Sequence, residues 1–102
     1  MSAQFIFADD SRQVDHYVKE AEYYQKKADA FRREAQYYLK KAEEYQKEAA
    51  YYTRKSKTDK AKDYQRRASR AMDNYKTQMR YAANADDKAA DYLRKASNLL
   101  RR

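Results

Sequence analysis

The side chains that most often carry out chemistry in proteins are scarce in this sequence. His16 is the only histidine, and the chain contains no cysteine and no glycine. A catalytic site or a metal site needs several His, Cys or carboxylate groups at suitable spacings, and a phosphate-binding loop needs glycine. We therefore expect no enzymatic activity, no catalytic or metal-binding residue, no cofactor and no small-molecule substrate.

A basic cluster near the middle of the chain is the one charge pattern that suggests a ligand. The sequence has a net charge of +8, and residues 54–70 hold eight Lys and Arg against two Asp. The candidate anion-binding residues are Arg54, Lys55, Lys57, Lys60, Lys62, Arg66, Arg67 and Arg70. Such a cluster attracts the phosphates of nucleic acid or an anionic membrane surface. The alternative is a solvated segment in which Lys and Arg serve only solubility.

A fourteen-residue repeat in the first half indicates the element that carries these charges. Segments 20–24, 34–38 and 48–52 each begin with Glu-Ala and end with Tyr-Tyr. Fourteen residues are two heptads, so one face of a helix alternates small and aromatic side chains along a coiled-coil seam. The seam residues of this half are Ala21, Tyr24, Ala28, Phe31, Ala35, Tyr38, Ala42, Tyr45, Ala49 and Tyr52. The pattern predicts an all-α protein with an alanine–tyrosine seam.

A second seam follows from residue 61, displaced by five residues from the first heptad register. Its residues are Ala61, Tyr64, Ala68, Tyr75, Ala82, Ala89, Tyr92, Ala96 and Leu99, and its columns also include Ala71 and Ala85. A continuous coiled coil accommodates insertions of three or four residues, so a displacement of five predicts a break. Ser56 or Thr58 can cap a second helix there, and Asp59 suits its first turn.

Two helices of similar length with a short link predict a long antiparallel hairpin. We expect a flexible tail over residues 1–9, a first helix at about 10–55, a turn at about 56–59 and a second helix at about 59–101. Asp10 with Gln13 predicts a capping box at the first helix start. One continuous helix and a three-helix bundle broken near residue 85 are the alternatives.

In such a hairpin, residues whose numbers sum to roughly 116 face each other, and the seam then places large side chains against small ones. Tyr45 would meet Ala71, and Phe31 would meet Ala85.

The hairpin leaves apolar side chains beside its seam. Those flanking residues are Tyr23, Tyr37, Tyr51, Val18, Leu39, Tyr81, Ala83 and Ala90. A two-helix core is thin for a chain of this length, which favours pairing of two hairpins into a four-helix bundle. In the alternative, the flanking tyrosine rings shield the seam themselves.

The sequence therefore favours a structural or protein-interaction protein that self-associates, with a homodimer as the favoured state. A nucleic-acid-binding module that uses the basic turn is the second hypothesis, and a protein on an anionic membrane surface is the third. Phe5, Ile6 and Phe7 are too few for a signal-peptide core, and no stretch is apolar enough to cross a bilayer, so we expect a cytoplasmic protein.

Overall fold

The computed structural model describes residues 8–101, and these residues form two long helices and no strand. Helix α1 spans Ala8–Arg54 and helix α2 spans Thr58–Leu100, with residues 55–57 between them. The two helices pack against each other as a hairpin, which confirms the predicted fold class. The break at residues 55–57 excludes the single continuous helix, and the continuation of α2 through residues 84–87 excludes the three-helix bundle. Of the tail predicted over residues 1–9, residues 8 and 9 belong to α1, and residues 1–7, with Phe5, Ile6 and Phe7, lie outside the described residues.

Helix α1 begins before the predicted capping box. It starts at Ala8, so Asp10 lies within the first turn and does not occupy the N-cap position. The first turn favours carboxylates because four backbone N–H groups and the positive end of the helix dipole lie there. Asp10 therefore suits this position by its charge.

A Schellman motif closes α1, although the chain has no glycine. Ser56 adopts the left-handed conformation with φ 59°. The N–H of Ser56 donates to the Thr53 carbonyl at 3.0 Å, and the N–H of Lys57 donates to the Tyr52 carbonyl at 2.9 Å. These are the two hydrogen bonds that define the motif. Ser56 thus ends α1 and does not cap α2. The first backbone bond of α2 runs from the Ala61 N–H to the Lys57 carbonyl at 3.0 Å, so Lys57 occupies the N-cap position and Thr58, the other predicted cap, is the first residue of the helix.

The hairpin divides into two compact units. The terminal unit comprises Met1–Asp29 and Ala82–Arg102, and the turn unit comprises Ala30–Tyr81. In the described part of the terminal unit, the buried residues are Ala21, Ala28, Ala82, Ala85, Ala89 and Ala96. In the turn unit they are Ala35, Ala42, Ala49, Ala61, Ala68 and Ala71. Each core is therefore made of six alanines from the predicted seam columns, with no fully buried large side chain among the described residues.

Aromatic rings lie beside the alanines and join the two helices. In the terminal unit the rings of Tyr24 and Tyr92 stack with centroids 5.8 Å apart and planes 10° apart. In the turn unit Tyr52 and Tyr64 stack in the same way, at 5.5 Å and 11°. Both pairs have residue numbers that sum to 116, as the predicted register requires.

The expectation that the seam places large side chains against small ones is wrong at the two stacked pairs. Tyrosine meets tyrosine in both stacks, and the ring of Phe31 contacts Tyr81 at 5.4 Å. The alanines alone fill the centre between the helices. The rings lie at the edge of this centre, Tyr81 exposed and the others half-buried, so they can lie side by side and need not interlock. The other large seam residues, Tyr38, Tyr45, Tyr75 and Leu99, are likewise half-buried.

Candidate functional site

Three copies of one side-chain arrangement follow the fourteen-residue repeat along α1. In each copy two adjacent tyrosines meet edge to face, with centroids 5.1, 5.3 and 5.1 Å apart. A lysine four residues after the first tyrosine lies over that ring, with Nζ 5.1, 5.8 and 5.7 Å from the centroid. The copies are Tyr23, Tyr24 and Lys27; Tyr37, Tyr38 and Lys41; and Tyr51, Tyr52 and Lys55. We call this arrangement the Tyr-Tyr-Lys cluster.

The first tyrosine of each cluster is the most exposed aromatic side chain of its repeat. Tyr23, Tyr37 and Tyr51 are 50%, 55% and 45% exposed. The hairpin therefore leaves these predicted flanking residues uncovered, as it does Tyr81, Ala83 and Ala90, whereas Val18 and Leu39 are half-buried. The edge-to-face contacts with the seam tyrosines also agree with the alternative in which these rings shield the seam.

A groove in the turn unit is built around the second cluster. This tyrosine groove has a volume of about 370 Å³. Its lining residues are Tyr37, Tyr38, Lys41, Tyr45, Arg67, Arg70, Ala71 and Asn74. Three rings and three cationic side chains thus line one groove, and no carboxylate is among its lining residues. Tyr45 and Ala71, which the register predicts to face each other, line it together.

Two of the three cations in the tyrosine groove have an acidic neighbour outside its lining. Lys41 Nζ lies 3.6 Å from the Glu44 carboxylate, and Arg67 Nη2 lies 3.1 Å from the Asp63 carboxylate. The Arg67 guanidinium also lies 5.0 Å from the centroid of the Tyr64 ring. All of these charged groups are substantially exposed, so their ion pairs are weak and exchange readily with other anions.

A second groove of the turn unit lies on the opposite flank of α1. This alanine groove has a volume of about 690 Å³. Its lining residues are Gln46, Ala49, Ala50, Thr53, Arg54, Gln65, Ala68, Ser69, Met72, Asp73 and Lys76. Small and polar side chains predominate and no aromatic ring is present. The two grooves therefore offer different chemistry on the two sides of one helix pair.

The predicted anion-binding residues are exposed, and they are spread over several surfaces. Lys57 and Lys60 line a shallow hollow at the turn, Arg54 lines the alanine groove, and Arg67 with Arg70 lines the tyrosine groove. Lys55, Lys62 and Arg66 line none of these surfaces.

The tyrosines nearest the turn already have partners for their rings. Tyr52 and Tyr64 stack on each other, and Lys60 lies over Tyr52 at 5.2 Å. The exposed aromatic residues of the turn unit are instead Tyr37, Tyr51 and Tyr81.

Sequence reasoning named Lys55 only as a candidate anion-binding residue and missed the contacts of Lys27, Lys41 and Lys55 with the tyrosine rings. The signal was present, because Lys27, Lys41 and Lys55 occupy the same position in all three repeats. A lysine four residues after an exposed tyrosine lies on the same helix face, where its ammonium group can reach the ring. In the first cluster a side-chain hydrogen bond with Tyr23, followed by the electrostatic effect of the same residue, raises the pKa of Lys27.

The terminal unit has a corresponding groove of different charge. Its lining residues are Tyr24, Lys88, Asp91, Tyr92 and Lys95, and its volume is about 330 Å³. A carboxylate is therefore part of the lining, and Arg94 pairs with that carboxylate at 3.1 Å. Rings and lysines are present as in the tyrosine groove, but acidic and basic groups are mixed.

The described residues 8–101 contain no group of three or more His, Cys, Asp and Glu side chains that could hold a metal ion. The ring of His16 lies 5.7 Å from that of Tyr17 and is exposed. Neither helix has a stretch that is both long and apolar enough to cross a membrane.

Comparison of the chain with protein-family models, curated proteins and solved structures finds no significant match. The function is therefore inferred from the geometry of these surfaces.

Proposed function

We propose that this chain is a non-enzymatic structural protein whose hairpin pairs with a second copy through the alanine groove, forming a four-helix bundle. The observation that supports this proposal is the composition of the core. Among the described residues only alanines are buried, and no large side chain is fully buried. Hydrophobic stabilisation scales with the apolar area removed from water, and one methyl group per core position contributes little. A second hairpin supplies the missing buried area.

The alanine groove suits a second helix pair because many of the side chains that line it are small. Ala50 and Ser69 are exposed, and Met72 is half-buried. Small side chains let helices approach toward the short end of the usual ~8–10 Å distance between axes. Methionine adapts its shape to fill the gaps that such a contact leaves.

The charges of the alanine groove favour a second copy of this chain as the occupant. Asp73 is acidic, whereas Arg54 and Lys76 are basic. In a two-fold symmetric dimer each residue of one copy meets its counterparts in the other with the same geometry. Asp73 of each copy can then pair with Arg54 or Lys76 of the other, so the surface complements itself.

The oligomeric state tests this proposal. Light scattering after size exclusion should give twice the 12.3 kDa mass of one chain. The double variant Ala50→Glu with Ser69→Glu adds two charges to the groove at exposed positions that tolerate glutamate in a helix. We expect its dimer dissociation constant to rise at least tenfold, about 1.4 kcal/mol, with its helix content unchanged.

The matched control is Ala30→Glu with Gln36→Glu. It adds the same charges at two exposed positions of the turn unit that do not line the groove. This control should remain dimeric. A wild-type chain that is monomeric at high concentration, or a control that dissociates as readily as the groove variant, would overturn the proposal.

A further inference from the structure

We propose that the tyrosine groove binds single-stranded nucleic acid. A base stacks on the ring of Tyr37, and adjacent phosphates bind Lys41, Arg67 and Arg70. This inference is independent of the proposed self-association, because the alanine groove lies on the other flank of α1.

The aromatic part of the site is the ring of Tyr37, which is held in position and offers a surface on which a base can stack. Tyr37 is 55% exposed, and Lys41 Nζ lies 5.8 Å from the centroid of its ring. A base that stacks on this ring covers surface that is otherwise in water and displaces the Lys41 ammonium group, which turns to an adjacent phosphate. Its edge-to-face contact with Tyr38, at 5.3 Å and 72°, fixes the ring against the seam. Stacking of a base on an aromatic side chain tolerates any base, because every base offers a π face. The platform therefore predicts binding with little sequence preference.

The cationic part of the site surrounds that platform. Lys41 belongs to the same cluster as Tyr37, and Arg67 with Arg70 approaches from α2. No carboxylate lines the groove, and the nearby Glu44 and Asp63 carboxylates are exposed. A phosphate that replaces those weak pairs gains charge-assisted hydrogen bonds, which arginine can make in a bidentate manner.

The net charge of the turn unit supports the same assignment. Residues 30–81 carry fifteen Lys and Arg against seven Asp and Glu, a net charge of +8. A polyanion is attracted to this unit over a screening length of about 8 Å at physiological salt.

Rings that stack on bases favour a single strand, because the bases of a duplex already stack on one another. The same lining residues favour nucleic acid over a membrane surface as the ligand. The apolar side chains that line the tyrosine groove are tyrosine and alanine, which insert weakly into lipid compared with leucine or tryptophan.

The terminal unit supplies an internal control for this site. Its cluster of Tyr23, Tyr24 and Lys27 has nearly the same ring geometry as the second cluster. Residues 1–29 and 82–102, however, have nine Lys and Arg and nine Asp and Glu, a net charge of zero. Tyr23, the equivalent ring in this neutral unit, should therefore contribute little to the binding of single-stranded nucleic acid.

The test is fluorescence anisotropy of a labelled oligothymidylate of about 20 nucleotides, titrated with the full chain. Tyr37→Ala should weaken binding about tenfold, the effect of losing one stacked base, whereas Tyr37→Phe should bind like wild type. Tyr23→Ala removes the equivalent ring of the terminal unit and should change affinity less than about twofold. Circular dichroism verifies that each variant keeps its helix content.

Salt dependence tests the cations separately. Three phosphate contacts on a single strand predict a slope of log K against log salt of about −2. Arg70→Gln should make that slope shallower by about 0.7, the share of one phosphate.

Several results would overturn the proposal. These are no binding at about 50 mM salt, equal losses for Tyr37→Ala and Tyr23→Ala, or preference for a duplex of the same length. Co-sedimentation with anionic vesicles, without binding to the oligonucleotide, would also reject it in favour of a membrane surface.

Discussion

The terminal unit and the turn unit share their packing and differ in their charge. Among the described residues, each has a core of six alanines and one pair of stacked tyrosines between its helices, at 5.8 and 5.5 Å. The terminal unit has a net charge of zero, and the turn unit has a net charge of +8. The alanine and tyrosine columns thus determine how the helices pair, and the outward-facing residues vary without disturbing them. Where two units have the same packing, the difference in charge predicts which unit a charged partner would prefer.

The largest expected effect tests whether the two cores are equivalent. Ala28→Glu in the terminal unit and Ala42→Glu in the turn unit each place a carboxylate between the helices. Burying an unpaired charge is costly, so each should lower the free energy of unfolding by at least about 3 kcal/mol. Ala30→Glu, at an exposed position, should change it by less than about 0.5 kcal/mol. Thermal and urea unfolding followed by circular dichroism measures all three.

If only one of the two core variants were strongly destabilised, the units would differ in packing as well as in charge. The difference between the units could then no longer be attributed to charge alone.

A smaller effect tests the stacked rings. Tyr24→Ala and Tyr52→Ala each remove one ring from an inter-helix stack, and each should cost about 2 kcal/mol from lost area and ring contact. Tyr23→Ala removes an exposed ring and should cost less than about 1 kcal/mol. Urea unfolding gives these values. A cost for Tyr23→Ala as large as that for Tyr24→Ala would show that the flanking ring, and not the stack, stabilises the hairpin.

A substitution in the link between the helices should raise the stability of the hairpin, whereas the substitutions above lower it. A side chain in the left-handed conformation is strained by its Cβ atom, so Ser56→Gly should stabilise the hairpin by about 1 kcal/mol. Ser69→Gly makes the same change inside α2 and should instead destabilise it by about 0.5 kcal/mol. Melting temperatures of the two variants should therefore shift in opposite directions. Equal shifts would contradict the Schellman motif at Ser56.

The smallest effect concerns the pKa of Lys27 in the terminal unit. Tyr23 raises this pKa above the ordinary lysine value of 10.5. A raised pKa means that the interaction stabilises the fold below that ordinary value and is lost as the pH rises through the raised one. Tyr23→Phe removes the hydroxyl group, so the NMR titration of the Lys27 side chain should move to lower pH. An unchanged midpoint would show that the hydroxyl group has no part in the shift.

The hairpin and its core were predictable because both depend on periodicity. The alanine columns predicted which face of each helix is buried. The five-residue displacement between the heptad registers of Ala21 and Ala61 predicted the break between the two helices. The C-terminal end of α1 was not predictable in detail, because Ser56 adopts the left-handed conformation that sequence rules assign to glycine.

The grooves were not predictable for a different reason. Arg67 and Tyr37 line one groove only because of how α1 and α2 face each other, and no local pattern reports that relation. The basic residues therefore formed one group in the sequence, whereas the structure distributes them over the turn and both grooves.

The most direct test of the central claim is an NMR titration of the full chain, with labelled tyrosines, against oligothymidylate. The claim is that charge, on equivalent packing, determines which unit binds. The ring signals of Tyr37, Tyr38 and Tyr45 should shift, and those of Tyr23, Tyr24 and Tyr92 should stay in place. Equal shifts in both units, or none in the turn unit, would contradict it.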